Sequence, residues 1–360
     1  MKILLCEKAE GKNHYIKNLA NEYIKRGHSV IFGVNNFLYS SFLPDIVHIQ
    51  WPEAIYKWSI KLPRNKNSLD LLKKRLEWYS KNNISIIYTV HNILPHENSD
   101  NFDKKFFNQI LKNSNLVVHH GKSSIKKIKT EFPICRNSKH IIAPHGPYNY
   151  INYNSKKAKN LYKLPLDKYV YLNFGAQREY KGNSFSKKVF KKWNNKNVFF
   201  FTIGEKKYYS KNNNLYSKIN RHLKKITNEN VYKILNKFTK KEKTILKSIN
   251  NKEIPKIMAA SDVVFLGHQS GLNSGILALA ASYKKPIVFP DIGNFKEQLI
   301  GYHDFETYSV SNINSAKNTI KRINNKIKYK GPGKININNE KWLKENSWEK
   351  HVKVILSNIK

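Results

Sequence analysis

The feature that most constrains this chain is the alternation of short apolar runs with segments of helical periodicity, sustained along nearly its whole length. Residues 2–6 (KILLC) are apolar, and a polar stretch containing Gly11 follows. Over 13–26, Tyr15, Leu19, Tyr23 and Ile24 fall on one side of a helix that Gly27 closes, and 29–33 returns to strand character. The cycle then repeats, with strands at 45–50 and 84–90 around a helix at 69–79. Helix 102–111, strand 116–119, helix 122–130 and strand 140–143 come next. Strands spaced by helices of this length predict a parallel, doubly wound α/β sheet. Runs such as IIYTV, which do not alternate, fit strands covered on both faces.

Residues 148–166 lose this periodicity, are rich in Asn, Lys and Tyr, and read as a linker. Beyond them the alternation restarts with strand 169–174, helix 184–193, strand 198–203, helix 215–226 and strand 231–238. Helix 254–260, strand 263–266, helix 275–283 and strand 286–289 complete a second sheet of similar size. Trp342, Trp348, Val352 and Leu356 have spacings suited to a closing helix. The expected division is therefore 1–150, a linker at 151–167, a second domain at 168–338 and a terminal helix at 339–360. A length of 360 residues gives each domain room for its own core.

Charged residues make up an ordinary 25% of the chain, but 65 Lys and Arg against 25 Asp and Glu give a net charge of +40. Such a balance attracts polyanions: nucleic acid, an anionic membrane face or a phosphorylated small molecule. Most of the lysines are scattered, as solvated faces would have them. Two stretches are more organised. One sets Leu69, Leu72, Leu76 and Tyr79 beside Lys73, Lys74 and Arg75; the other sets Ile125 and Ile128 among Lys122, Lys126, Lys127 and Lys129. Each fits a helix lying on lipid headgroups, or one that packs its apolar stripe in a core and solvates its basic back. No zinc-finger spacing or RNP-like motif accompanies the charge, which argues against nucleic acid as the partner. No apolar run reaches the length of a membrane span, and the N-terminus reads as a first buried strand, not as a signal peptide. Cys6 and Cys135 have no metal spacing, so a cytosolic, reduced and zinc-free protein is expected.

Ligands of doubly wound sheets bind beyond the carboxyl ends of strands, so the loops there carry the functional argument. The loop 175–182 (GAQREYKG) places Arg178 and Lys181 between two glycines, a composition suited to a diphosphate; a Gly-bounded turn with solvated charges is the competing account. The loop 267–275 (GHQSGLNSG) leads into a helix that Asn273 or Ser274 would cap, and whose first N–H groups point at any anion above them. Neither a Walker loop nor GxGxxG is present. The loop 91–97 (HNILPHE) offers His91, His96 and Glu97, with a histidine at a strand end suited to proton transfer or to binding a sugar hydroxyl. The spacing of its histidines does not suit a metal, and no DxD occurs to hold Mg²⁺ on a diphosphate.

Taken in order, these segments resemble the GT-B-fold glycosyltransferases, in particular bacterial members of family 4 that build surface polysaccharides. The resemblance runs through EKAEGKNHYIKNLANEYIKRGHSV, PDIVHIQWPE, YTVHNILPHE and IIAPHGPY in the first half. It continues through YLNFGAQREYKG, IPKIMAASDVVFL, NSGILALAASYKKPIVFPDIGNFKE and the closing SWEKH helix. It implies two Rossmann-like domains facing across a cleft, with a UDP- or GDP-sugar held mainly by the second and the acceptor by the first. No other cofactor and no metal are implied. Carried over, Arg178 and Lys181 would be the diphosphate cations and the backbone of Ser270, Gly271, Asn273, Ser274 and Gly275 the amide cradle. His91 would be the cleft histidine at the reaction centre, and Gly11 would lie in a loop that meets the donor. Trp51 and Glu53, with His96 and Glu97, would contact the acceptor, while His145 and Gly146 would be structural. Many family-4 enzymes carry two glutamates eight positions apart that hold the donor sugar and ribose; here those places fall on Gly271 and Leu279. Glu297 sits where the family often has a carboxylate. The expected activity is hexosyl transfer to a lipid-linked glycan in polysaccharide biosynthesis, at the inner face of the cell membrane. An inactive glycan-binding relative and a basic nucleic-acid-binding protein are the alternatives.

Overall fold

The computed structural model describes residues 1–8, 14–95, 99–136, 138–193, 195–206, 227, 241–328, 330–335 and 337–359. The first apolar runs become strands β1 (Lys2–Leu5), β2 (Ser29–Phe32), β3 (Ile46–Ile49), β4 (Ser85–Thr89), β5 (Leu116–His119) and β6 (Lys139–Ile142). They pair in the order β2-β1-β3-β4-β5-β6, every neighbour parallel. The second sheet contains β7 (Tyr169–Phe174), β8 (Val198–Ile203), β9 (Glu242–Ile245), β10 (Val263–Phe265), β11 (Ile287–Pro290) and β12 (Phe305–Tyr308). Its order is β12-β11-β10-β7-β8-β9, again all parallel. Interior strands are buried over most of their length, and wholly so in IVHI of β3 and VFFFTI of β8, which is why their sequences do not alternate. This is the predicted α/β architecture.

Each sheet has one place where the chain, having built one side, returns to build the other. In the first sheet it lies between β1 and β3, and in the second between β7 and β10. Connections on the two sides of such a point leave in opposite directions and open a crevice beyond the strand ends. The loops after β7 and β10 are the two Gly-rich segments singled out above.

Both basic amphipathic stretches use their apolar faces internally. In the helix Lys66–Lys81, Leu72, Leu76 and Tyr79 are buried in the first core, and Arg75 is turned inward. The Arg75 guanidinium donates to the Phe37 and Ser40 carbonyls and lies over the Trp78 ring. In the helix Lys122–Glu131, Ile128 enters the same core. Neither helix keeps an apolar stripe for lipid. Among the described residues no helix is long and apolar enough to cross a membrane.

The segment read as a linker contains a helix, Ser155–Leu161, which starts where the Asn154 side chain accepts from Lys157 N–H. Ala158 seals it to the second core, and Lys159 donates to the Asp262 carboxylate at 2.8 Å, both groups buried. One small apolar residue and one buried lysine leave no visible helical stripe, so the periodicity gives no sign of this helix. The predicted helix 215–226 and strand 231–238 lie outside the described residues. β9 (EKTI) escaped notice because only Thr244 on this edge strand is buried.

The tail is two helices, not one. Glu340–Glu345 buries Trp342 in the second core, with its indole N–H on the Gln298 carbonyl at 3.0 Å. Trp348–Leu356 crosses to the first domain, where Val352 and Ile355 pack with Ile3, Leu5, Tyr15 and Leu19.

Candidate active site

Beyond β7 and β10, the two glycine-rich loops are joined backbone to backbone. Gly182 has φ +59°, and a Cβ there would overlap the Gly267 carbonyl, so only glycine permits the approach. Gln269 N–H reinforces it, donating to the Tyr180 carbonyl at 2.7 Å. The result turns Lys181 toward the helix Gly275–Ser282: a Cβ built on Gly175 would lie 3.2 Å from Lys181 Nζ and 3.7 Å from Ile276 Cδ1. Burial, with the neighbouring Arg178 charge, lowers the Lys181 ammonium to a pKa of about 8. A lysine held this way gains from any anion that replaces lost water.

The helix start itself differs from expectation in two respects. Neither Asn273 nor Ser274 caps it by side chain. Asn273 instead crosses to the first domain, and Ser274 N–H donates to Gln298 Oε1 at 2.9 Å, which removes one amide from the expected cradle. Gly275 remains at the first helical position, and a Cβ there would come within 2.9 Å of the Tyr148 hydroxyl. Tyr148, from the segment read as linker, therefore stands over the helix start, a neighbour that sequence reasoning missed. Ser270 is exposed and Gly271 half-buried, while Leu279 is buried in the second core.

The first domain meets this loop with a hydrogen-bonded block at the end of β1, β3 and β4. Glu7 Oε1 accepts from Gln50 N–H at 3.0 Å and Trp51 N–H at 2.7 Å, which joins the two strands that flank the crevice. Its other oxygen is buried with no partner among the described residues. Burial raises Glu7 to a pKa of about 7. Glu53, one turn further on, is also raised to about 7 by burial, partly offset by Lys57 and by Arg178 from the opposite domain.

His91 is fixed at three points. Its Nε2 lies 2.9 Å from Gln50 Oε1, Trp51 stacks on it with centroids 4.3 Å apart, and Tyr15 meets it edge-on at 4.7 Å. The Gln50 amide donates to His48 Nε2 at 2.7 Å, so the Gln50 carbonyl faces His91 and makes Nε2 the protonated nitrogen. His91 then keeps Nδ1 as its acceptor. Burial and the surrounding histidines push its pKa well below the usual value, so the ring is neutral near pH 7 and cannot serve there as an acid. His120, His145 and His351 complete the block around Tyr15, each with Nδ1 on a backbone carbonyl, of Ala143, Gly146 and Pro144. A Cβ on Gly146 would run into the Trp348 ring, in keeping with a structural turn there.

Three contacts tie the domains together at this point. Leu272 inserts into the first domain's core. The Asn273 amide donates to the Val90 and His91 carbonyls, each at 3.1 Å, and its Oδ1 accepts from Asn294 at 2.9 Å. The helix Lys122–Glu131 begins at Gly121, which has no side chain to cap it, and the second domain supplies the acceptors instead. Glu297 takes Lys122 N–H at 2.8 Å and Asn294 takes Ser124 N–H at 3.2 Å. The structure thus gathers Arg178, Lys181, Asn273, Ser274 and Gly275 at one loop pair, facing Trp51, Glu53 and His91. Gly11, His96 and Glu97 lie outside the described residues. Glu7 and Gln50, which sequence reasoning did not assign, are marked only by their place at strand ends.

No family model and no curated protein matches the sequence. Solved structures do match in shape. Sucrose-phosphate synthase from Thermosynechococcus elongatus superposes with a TM-score of 0.68 at 13% identity, over 99% of this chain and 97% of its own. Anabaena HepE, solved in complex with UDP, gives 0.63 at 14% identity over the whole of both chains. A glycosyltransferase from Rickettsia africae gives 0.64 at 15%, covering 99% of this chain and 97% of that one. Two parallel six-stranded sheets matched over the full length show that this chain has the GT-B fold.

Proposed function

We propose that the chain is a glycosyltransferase that takes a hexose-type sugar from a nucleoside diphosphate donor and passes it to a hydroxyl of a glycan. The observation that carries this reading is the convergence of Lys181 on the start of the helix Gly275–Ser282, beside the loop whose Asn273 side chain reaches the His91 carbonyl. A pyrophosphate set between them would meet an ammonium, the Arg178 guanidinium and the positive end of a helix. As the glycosidic bond to the diphosphate breaks, negative charge grows on the departing oxygen, and these groups stabilise it more in the transition state than in the bound donor. No divalent ion is assigned to this step. His91, neutral and held by Gln50, would accept a hydrogen bond from a donor-sugar hydroxyl through Nδ1. HepE was solved with UDP and with UDP-glucose, which supports a uridine nucleotide as the first donor to test.

The finer assignments are also proposals. A lipid-linked acceptor in polysaccharide biosynthesis, at the inner face of the cell membrane, suits the charge of +40, since acceptor and membrane would both be anionic. Leu279 cannot hold a ribose by side chain, so backbone and hydroxyl groups would do so. The deciding experiment is a thermal-shift screen against UDP, GDP and their sugars, because a ligand that binds only the native state raises its melting point. A rise with one base and none with the other supports the reading, and no rise with any of them removes it.

A further inference from the structure

The short segment after β3, from Ala54 to Ser59, is a π-helical turn, a rare geometry that frequently occurs at functional sites. Ala54, Ile55 and Tyr56 are buried and seat it on the first core, with the Tyr56 hydroxyl bonded to Asp103. The next residues turn outward, and Trp58 is 56% exposed. Its ring lies 6.4 Å from that of Trp51, which in turn stacks on His91. An exposed indole fixed by a buried turn, two ring contacts from the cleft histidine, has no part in the core.

We propose that Trp58 is the platform on which a sugar ring of the acceptor stacks. The inference rests on the transferase reading above and adds a residue that determines acceptor binding. A pyranose presents C–H bonds on one face and hydroxyls around its rim. The flat apolar surface of an indole removes that face from water and leaves the hydroxyls free for polar partners. Trp51 and Trp58 are tilted by 48° to each other, and Trp51 continues the ring contacts to His91. Glu53, the residue just before the turn, is buried. A stacked ring would present its reactive hydroxyl toward the space between His91 and Lys181. A glycan fits this place better than a membrane, because the platform is continuous with the cleft and the exposed neighbour is Lys57, with no second exposed apolar group in the turn.

The test uses the full chain and three proteins: wild type, Trp58→Ala and Trp58→Phe. Tryptophan emission is followed on titration with methyl glycosides and disaccharides of glucose, galactose and mannose, and separately with phosphatidylglycerol vesicles. UDP-induced thermal shift is measured on all three. The expected result is saturable binding of at least one sugar to wild type, at least tenfold weaker for Trp58→Ala and within threefold for Trp58→Phe, with equal UDP shifts. Equal sugar affinity in Trp58→Ala overturns the platform, as does the lack of any sugar response in a wild type that binds UDP. A response to vesicles alone that Trp58→Ala abolishes assigns the indole to lipid and also overturns it. If UDP fails on wild type while sugar binding still depends on Trp58, the platform stands and the donor assignment falls.

Discussion

The side-chain amide of Asn273 donates to the backbone carbonyl of His91 across the domain boundary, at 3.1 Å. The loop that carries the proposed diphosphate site therefore also sets the height of the cleft histidine. The proposed donor site and the cleft histidine share one side chain.

Replacing Asn273 with Ala removes both cross-domain bonds and the acceptor for Asn294. A stability loss of about 1–2 kcal/mol is expected, in line with hydrogen bonds of this kind. Sugar transfer should fall by about tenfold or more, because misplacement of a reacting group costs more than its contact energy. Urea unfolding and nucleotide release measured on the same preparation check both, and an unchanged transfer rate would confine Asn273 to a structural part.

Lys181→Ala is expected to keep the fold and lower turnover by about 10²–10³, the usual cost of one oriented group facing a developing charge. Far-ultraviolet dichroism checks the first expectation and steady-state nucleotide release the second. A rate within twofold of wild type would take the leaving group away from Lys181.

The same lysine predicts a pH effect on the free protein. With its pKa lowered to about 8, the ammonium loses its proton as pH rises through that value, well before an exposed lysine would. UDP affinity, measured by calorimetry, should weaken between pH 7 and 9, and Lys181→Arg should flatten that decline. A pH-independent affinity in the parent protein would count against contact between Lys181 and the phosphates.

Acid should unfold this protein readily. His48 and His351 are lowered by burial to pKa values of about 3, His145 to about 4, and His91 and His120 well below the usual value. As pH falls below 6.5, the unfolded chain takes up protons on these five residues that the native state refuses, so stability drops. Glu7 and Glu53, raised to about 7, have the opposite sign: they cost stability as pH rises from 4.5 toward 7. At about 1.4 kcal/mol per pH unit for each fully titrating group, five rings outweigh two carboxyls. The urea midpoint at pH 5.5 should be clearly below that at pH 7, and an equal or higher midpoint would contradict the sign.

Glu297→Ala removes an acceptor from the start of the helix Lys122–Glu131. About 0.5–1 kcal/mol is expected, the low end for a cap because the contact is exposed. Hydrogen exchange at Lys122 and its neighbours should quicken in the variant while exchange in β4 and β5 stays unchanged. No change near Lys122 would mean that water serves equally well there.

Strand content was legible because interior parallel strands are apolar on both faces, and IIYTV or VFFFT admit few other readings. The charged edge strand EKTI was not, since an edge exposes most of its side chains. The nearness of Lys181 to the helix Gly275–Ser282 was foreshadowed by its place between two glycines after a strand. Gln50 and Tyr148 could not be picked out, because their importance arises only when distant strands and loops meet: Gln50 acts through His48 and His91, and Tyr148 through Gly275. The basic helices left two accounts open for a related reason, and the core-packing one holds. A stripe such as Leu72, Leu76 and Tyr79 looks the same whether a core or a bilayer covers it.

The return of the helix Trp348–Leu356 to the first domain has a bearing on biogenesis. Val352 and Ile355 fill the same core as Ile3 and Leu5, yet they are synthesised only after the entire second domain. During translation the amino-terminal half must wait on the ribosome with an apolar face uncovered, the kind of surface that chaperones recognise and that drives aggregation.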